Sequence, residues 1–537
     1  MYDYIIVGAG SAGCTLANRL SIDPDIQVCI LEAGARDWHP LIHVPAGSPW
    51  MMRSKRLNWN YETEPENNLN GRRLFWPRGK TLGGSSSSNA MVYTRGHKND
   101  YDQWAELGNK GWGYEDLLPY FKRSQNQERG EDDFHGVGGP LNVQDIEVPN
   151  ELSSIFVKAG IDAGFKANND FNGADQEGVG LFQLTQKQGR RWSTAQAYLR
   201  KAEQRSNVTV ITKAHATKVN FEGKRAVGVS FLHNGNGEEV TITAKKEVIL
   251  SGGAINSPQL LLLSGIGPTQ EVAKHGIPVV HEIPGVGQNL QDHLDVVIVN
   301  KSTKPLSFGL TFKTIVTHAL YNVYQYVVHK RGVLSTNGAE AGGFVKSDLS
   351  QETPDLQFHF SGVKIRDHTR DTRFLCGHGY SLHVCDLRPK SRGSVGLHSG
   401  DPTAHARIEA NYLSDSRDLD TMVKGVKASL KVLQSPVFDS VRGKQLTPEF
   451  DLNSDEGIRE FVLNHAESVY HPVGTCKMGR DEMAVVNDRL QVHGIEGLRV
   501  VDASIMPVIV GGNTNAPTIA IAEKASDMIL EDASAFA

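Results

Sequence analysis

The chain opens on a strand that runs straight into a glycine turn and a helix: Tyr4-Ile5-Ile6-Val7, then Gly8-Ala9-Gly10-Ser11-Ala12-Gly13, then Leu16, Ala17 and Leu20. That spacing fixes a βαβ opening built around a dinucleotide pyrophosphate. The first glycine makes the tight turn, the second lets backbone approach the phosphates, and the third lets helix lie against strand. Unpaired amides at the helix N-terminus then receive the anion. A second apolar strand, Gln27 to Leu31, ends on Glu32, roughly 20 residues on, where a ribose-binding acid is expected.

The same fingerprint serves nicotinamide and flavin cofactors. Its place at the extreme N-terminus, with the acid leading into Ala33-Gly34-Ala35, is more like the FAD-binding flavoproteins. A chain of 537 residues exceeds one core and calls for two domains or large insertions. With 56 basic and 61 acidic residues, and no long run of either sign, nucleic acid is not an expected partner. The five cysteines are odd in number, widely spaced and without a CxxC pair, so neither a disulfide framework nor a metal site is expected. Met1 runs almost directly into the first strand, which leaves no room for a leader and favours a cytoplasmic chain. No apolar run reaches the ~18 residues of a membrane span. One amphipathic segment, 312 to 328, reads either as a helix packed on its own domain or as a surface resting on a bilayer, peripheral on the inner membrane.

An α/β chain with a discontinuous nucleotide domain follows from the patterning. A Rossmann-like FAD-binding domain is expected from 1–150, 206–296 and 464–537. Within it, Glu247-Val248-Ile249-Leu250 breaks at Ser251-Gly252-Gly253 into a second strand-glycine-helix unit. The intervening 151–205 and 297–463 form a substrate domain. Its alternating segments, such as Leu356-Gln357-Phe358-His359-Phe360, have the period of half-buried antiparallel strands.

Two further blocks carry chemistry. The run GKTLGGSSSSNAMVYTRG at 79–96 is too rich in glycine and hydroxyls to pack as a regular element, and close backbone approach to a ligand explains it. Near the C-terminus, Tyr470-His471-Pro472-Val473-Gly474-Thr475 holds a histidine in a turn stiffened by proline. An immobilised imidazole with an ordinary pKa near 6.5 suits general-base work. A partner turn, Gly511-Gly512-Asn513-Thr514-Asn515-Ala516-Pro517-Thr518, opens the last helix. Asn515 reads equally as a helix cap or as a hydrogen-bond partner of the substrate oxygen.

Taken together these blocks resemble the glucose-methanol-choline (GMC) oxidoreductases, and the likeness covers the whole chain. It rests on GAGSAG with Glu32, GKTLGGSSSSNAMVY, GAINSPQLLLLSGIGP, GQNLQDH, HPVGTCKMG, VVDASIMP and GGNTNAPT, in family order. The resemblance implies FAD, a doubly wound flavin domain and an antiparallel-sheet substrate domain. It makes His471 the base and Asn515 its partner. It puts Gly8, Gly10, Ser11, Ala12 and Gly13 on the pyrophosphate, Glu32 and Ala33 at the ribose, and Ala216 at the adenine. Leu82, Gly84, Asn89, Met91 and Val92 are then expected to line the flavin, and Asp502, Ala503, Asn515 and Thr518 to close its far side. Some relatives anchor FAD through a histidine at the position of Ser88. A hydroxyl cannot replace that imidazole, so non-covalent FAD is expected.

Within the family the likeness is strongest to bacterial primary-alcohol dehydrogenases, often membrane-associated, and next to choline dehydrogenase. The expected reaction is oxidation of a primary alcohol to an aldehyde, the electrons passing to a quinone or similar acceptor. An oxidase using O2, a choline dehydrogenase with a cation-π seat, and an FAD-containing hydroxynitrile lyase are the alternatives.

Overall fold

Apolar β-branched runs build the first sheet. In the computed structural model, which describes residues 1–235, 237–309, 312–366, 375–447 and 449–535, five strands lie parallel: Val208–Thr212, Val28–Glu32, Tyr2–Val7, the end of Glu239–Leu250, and Leu498–Val500. The long Glu239–Leu250 strand also starts an antiparallel wing with Arg225–His233 and Ala214–Glu222. Register aligns the carboxyl ends, Val7 beside both Leu31 and Leu250, and Leu250 beside Val500. Chain order reverses across Tyr2–Val7, and ligands of doubly wound sheets bind at such a switch point.

The second sheet is antiparallel, in the order Arg442–Thr447, Leu294–Ser302, Gly379–Asp386, Leu356–Ser361, Ala341–Val345, Gly178–Leu181. The period-two alternation has a clear meaning here. Phe358, Phe360, Leu382 and Val384 are buried in a core shared with helix Ser416–Leu433. The opposite face presents His359 and His383, paired in register, together with Ser361, to a cavity between the sheets.

Helix Phe312–His329 does form where the pattern predicts it. The side chains of residues 312–319 lie outside the described residues; from residue 320 on, the helix turns its apolar side to solvent. No helix among the described residues is long and apolar enough to cross a membrane.

The C-terminal helix Asn515–Ala535 is fastened to the first sheet by Arg499. That guanidinium is 1% exposed, and it grips Glu247 at 2.6 and 2.9 Å and Asp532 at 2.6 Å. Removing the cation strands Glu247, while Asp532 keeps Arg489 at 2.8 Å, so Arg499→Met is expected to cost about 3 kcal/mol, read as a lower urea midpoint. An unchanged midpoint contradicts this role.

Candidate active site

The glycine turn of the first strand behaves as its spacing requires. Gly8 has φ +104° and its missing Cβ would sit 2.5 Å from the Ser251 carbonyl, while a Cβ on Gly13 would meet the Gly8 carbonyl at 1.9 Å. Gly13 therefore packs helix on strand and does not line the cavity. Gly10 faces open space, and the helix Ser11–Leu20 that follows has no side-chain cap, so its first amides are left for a ligand. Glu32 braces the same turn, accepting the amides of Ala9 at 3.1 Å and Gly34 at 2.7 Å. Burial pushes its carboxyl up to about 7.

A cavity of about 780 Å³ starts at this turn, within the size range of cofactor sites. Gly8, Gly10, Ser11, Ala12, Glu32, Ala33, Gly84, Ser88, Asn89, Met91, Val92, Ala216, Asp502, Ala503, Asn515 and Thr518 all line it. Leu82 does not. It is fully buried in the core, and it serves the loop through its carbonyl, which accepts the Ser87 hydroxyl at 2.7 Å. A long cavity, free amides at a helix N-terminus, a ribose-side carboxylate and a glycine-hydroxyl loop fit FAD.

At its other end the cavity reaches His471. Three consecutive residues of the GQNLQDH turn hold that residue in place. Gln291 accepts the Ile509 amide at 3.2 Å and donates to the Pro507 carbonyl at 3.1 Å, fixing the segment that leads to the asparagine turn. Asp292 accepts the backbone N–H of His471 at 2.6 Å and the hydroxyls of Ser468 and Tyr412. Burial raises its carboxyl to about 6 against the pull of those donors and of Arg78. Arg78 donates to the Tyr470 carbonyl at 2.5 Å. Tyr470 itself is left-handed, φ 70°, a conformation a non-glycine residue keeps only under outside constraint.

His293 contacts the imidazole directly, Nδ1 to Nδ1, at 3.0 Å. On the far side Asn513 Nδ2 lies 3.2 Å from His471 Nε2. The amide orientation is set by its oxygen, which accepts from Thr94 Oγ1 at 3.2 Å and Gln357 Nε2 at 3.1 Å. Asn513 therefore donates, and His471 Nε2 accepts. The His471 proton must then sit on Nδ1 and point at His293. Burial, with His293 and His359 nearby, holds the His471 pKa well below the ordinary imidazole value, and burial takes His293 down to about 3. Both rings are neutral, and one presents a bare Nε2 beside an amide donor.

Asn515, paired with His471 on the sequence, is not in contact with it. Its side chain accepts the Ser11 hydroxyl at 2.7 Å, at the pyrophosphate turn. The asparagine two residues earlier occupies the place beside the imidazole. Asp292, His293, His359 and His383 also went unassigned on the sequence. For Asp292 and His293 the one signal was a polar Gln-Asp-His run placed immediately before an apolar strand, and for His359 and His383 it was their place in the period-two alternation of two strands. His383 is paired with buried Asp295 at 2.8 Å.

Two models of the GMC oxidoreductase family match residues 2–295 and 389–522. The chain is 49% identical to an alcohol dehydrogenase [acceptor] of Pseudomonas putida, over 99% of this chain and 96% of that one. It is 45% identical to an oxygen-dependent choline dehydrogenase of Pseudomonas savastanoi pv. phaseolicola, over 98% and 93%. Among solved structures it is similar to pyridoxine 4-oxidase from Mesorbium loti, with TM-score 0.89, 30% identity and 99% of each chain covered. The chain belongs to the GMC oxidoreductases, flavoenzymes that oxidise alcohols.

Proposed function

We propose that this protein oxidises primary alcohols, aliphatic or aromatic, to aldehydes and passes the electrons to a quinone or similar carrier. The observation that supports this most is the pair formed by the bare Nε2 of a neutral His471 and the Asn513 amide, together at the end of a cavity with apolar walls. An alcohol hydroxyl inserted there displaces the Asn513 amide from the single Nε2 lone pair, donates to Nε2 in its place, and accepts from the freed Asn513 N–H. His471 takes the hydroxyl proton, and His293, taking the hydrogen bond from Nδ1, steadies the imidazolium that results. Bound FAD supplies the acceptor for the hydride from the alcohol carbon. Phe308, Val333, Leu334, Val363 and Ile365 line the walls and suit a hydrocarbon chain. Holding the oxygen at two points aims that carbon and contributes through positioning.

Among the described residues that line the cavity, no uncommitted carboxylate stands beside His471 to hold a quaternary ammonium. The carboxylates lining the cavity among the described residues are Glu32 and Asp502, and Asp502 is committed to the Gly253 amide at 2.8 Å and the Ser257 hydroxyl at 2.6 Å. Asp295 does not line the cavity, and its carboxylate lies 2.8 Å from His383 Nδ1. Hexanol or benzyl alcohol is therefore expected to bleach the oxidised flavin anaerobically, choline is not, and recovery in air is slow. Bleaching by choline alone overturns the substrate assignment, and fast recovery in air overturns the acceptor.

FAD is held without a covalent bond in this reading. Ser88 lines the cavity with its hydroxyl on the Ser85 carbonyl at 3.3 Å. Acid denaturation is expected to release the flavin into solution; flavin that stays with the precipitated chain contradicts this.

The two asparagines separate by kinetics. Asn513→Ala is expected to slow anaerobic flavin reduction by about 10²-fold with FAD retained. Asn515→Ala, which removes the acceptor from Ser11, is expected to weaken FAD binding and leave reduction of the bound flavin within a few fold. The reverse pattern returns the catalytic role to Asn515.

A further inference from the structure

We propose that the face made by helix Phe312–His329 and the segments it touches is a docking surface for an anionic lipid bilayer. The described half of this helix is inverted with respect to water. Asn322, Gln325 and Tyr326 are half-buried toward the protein. Leu320 is 87% exposed, and Tyr321, Val323, Tyr324, Val327 and Val328 are each about half exposed. An apolar stripe turned outward is the opposite of what a helix on a water-facing domain presents, and contiguous exposed apolar surface marks a partner.

What surrounds the stripe identifies that partner. Tyr326 reaches the His43 carbonyl at 3.4 Å, and Gly189 packs against the Lys330 backbone, so the helix touches the chain at these two points, within segments 38–60 and 186–192. Those segments and residues 312–339 contain no aspartate or glutamate. They do carry exposed cations: Arg53, Lys55 and Arg56, Lys187 and Arg190, Lys330 and Arg331. Lys330 donates to the Val327 carbonyl and Arg331 to the Gln325 amide, so neither is neutralised there. Exposed apolar and aromatic side chains, with cations on the same and neighbouring segments that form no ion pair among the described residues, match an interface with acidic headgroups. A second copy of the chain fits poorly, because a two-fold interface sets this patch against itself and brings like charges together.

The cavity meets this face at Pro49, Trp50, Met52 and Leu334, with Trp50 48% exposed. An apolar alcohol dissolved in the bilayer then enters without crossing water, a consequence that rests on the alcohol-oxidising reading; the docking surface itself does not.

The test is flotation of the FAD-loaded full chain with phosphatidylcholine vesicles, with and without phosphatidylglycerol. The wild type is expected to float with the anionic vesicles and to be released by high salt. Leu320→Glu with Val327→Glu is expected to lower partitioning at least about tenfold, and Lys330→Glu with Arg331→Glu to abolish the preference for phosphatidylglycerol. Absence of the wild type from the floated fraction, or equal flotation of the variants, overturns the proposal. So does light scattering in which the Leu320 and Val327 changes split an oligomer while vesicle binding is absent, since the surface is then a self-association face. Reduction of bound FAD by butanol in solution is expected to be the same in wild type and variants, so a failure of docking and a failure of the alcohol reading give separate results.

Discussion

Everything at the reacting end of this molecule depends on one buried carboxylate. Asp292 is shut away from solvent and spends its lone pairs on the His471 amide and on the hydroxyls of Ser468 and Tyr412. Ser468 in turn accepts the Tyr470 amide at 2.7 Å, so the left-handed residue before the histidine is pinned on both sides. A buried donor left without its acceptor costs about 1–3 kcal/mol. Losing Asp292 leaves three such donors, in a turn that already stores strain. The histidine is thus fixed by backbone before its ring makes any contact. Asn513, donating to Nε2, then places the proton on Nδ1, toward His293.

The two sheets divide the labour. The parallel sheet delivers strand ends and helix amides to one line, the place where doubly wound sheets in general bind a pyrophosphate and its ribose. The antiparallel sheet offers a face on which every second residue points into the cavity, and this gives a wall with His359 and His383 on it and phenylalanines behind. The histidine turn, the Gln-Asp-His turn and the asparagine turn lie where these two sheets meet. Their contacts join residues 178 positions apart, His293 with His471, and 419 apart, Thr94 with Asn513.

That separation decides what the sequence alone could yield. The glycine turn, Glu32 and the proline-stiffened histidine are local patterns, with physical reasons inside a few residues of chain. The choice between Asn513 and Asn515 is not local. Both lie in one polar turn, and the helix begins at Asn515, which aims that side chain at Ser11. The contacts that single out Asn513 come from Thr94 and Gln357, on other segments. Leu82 erred for the same reason. Its neighbours in the loop touch the cavity, while its own side chain, being leucine, is drawn into the core below. In helix Phe312–His329 periodicity announced an amphipathic helix but not which side faces inward, because that is set by the surface on which the helix lands.

The central claim is that His471 is neutral, protonated on Nδ1 toward His293 and bare on Nε2 toward Asn513. Neutron diffraction from deuterium-exchanged crystals of the oxidised, alcohol-free enzyme tests it most directly. The account predicts a deuteron between the two Nδ1 atoms and none on His471 Nε2. A deuteron on Nε2 leaves the ring with no lone pair for an alcohol hydroxyl, and would contradict the proposed role of His471 as the base.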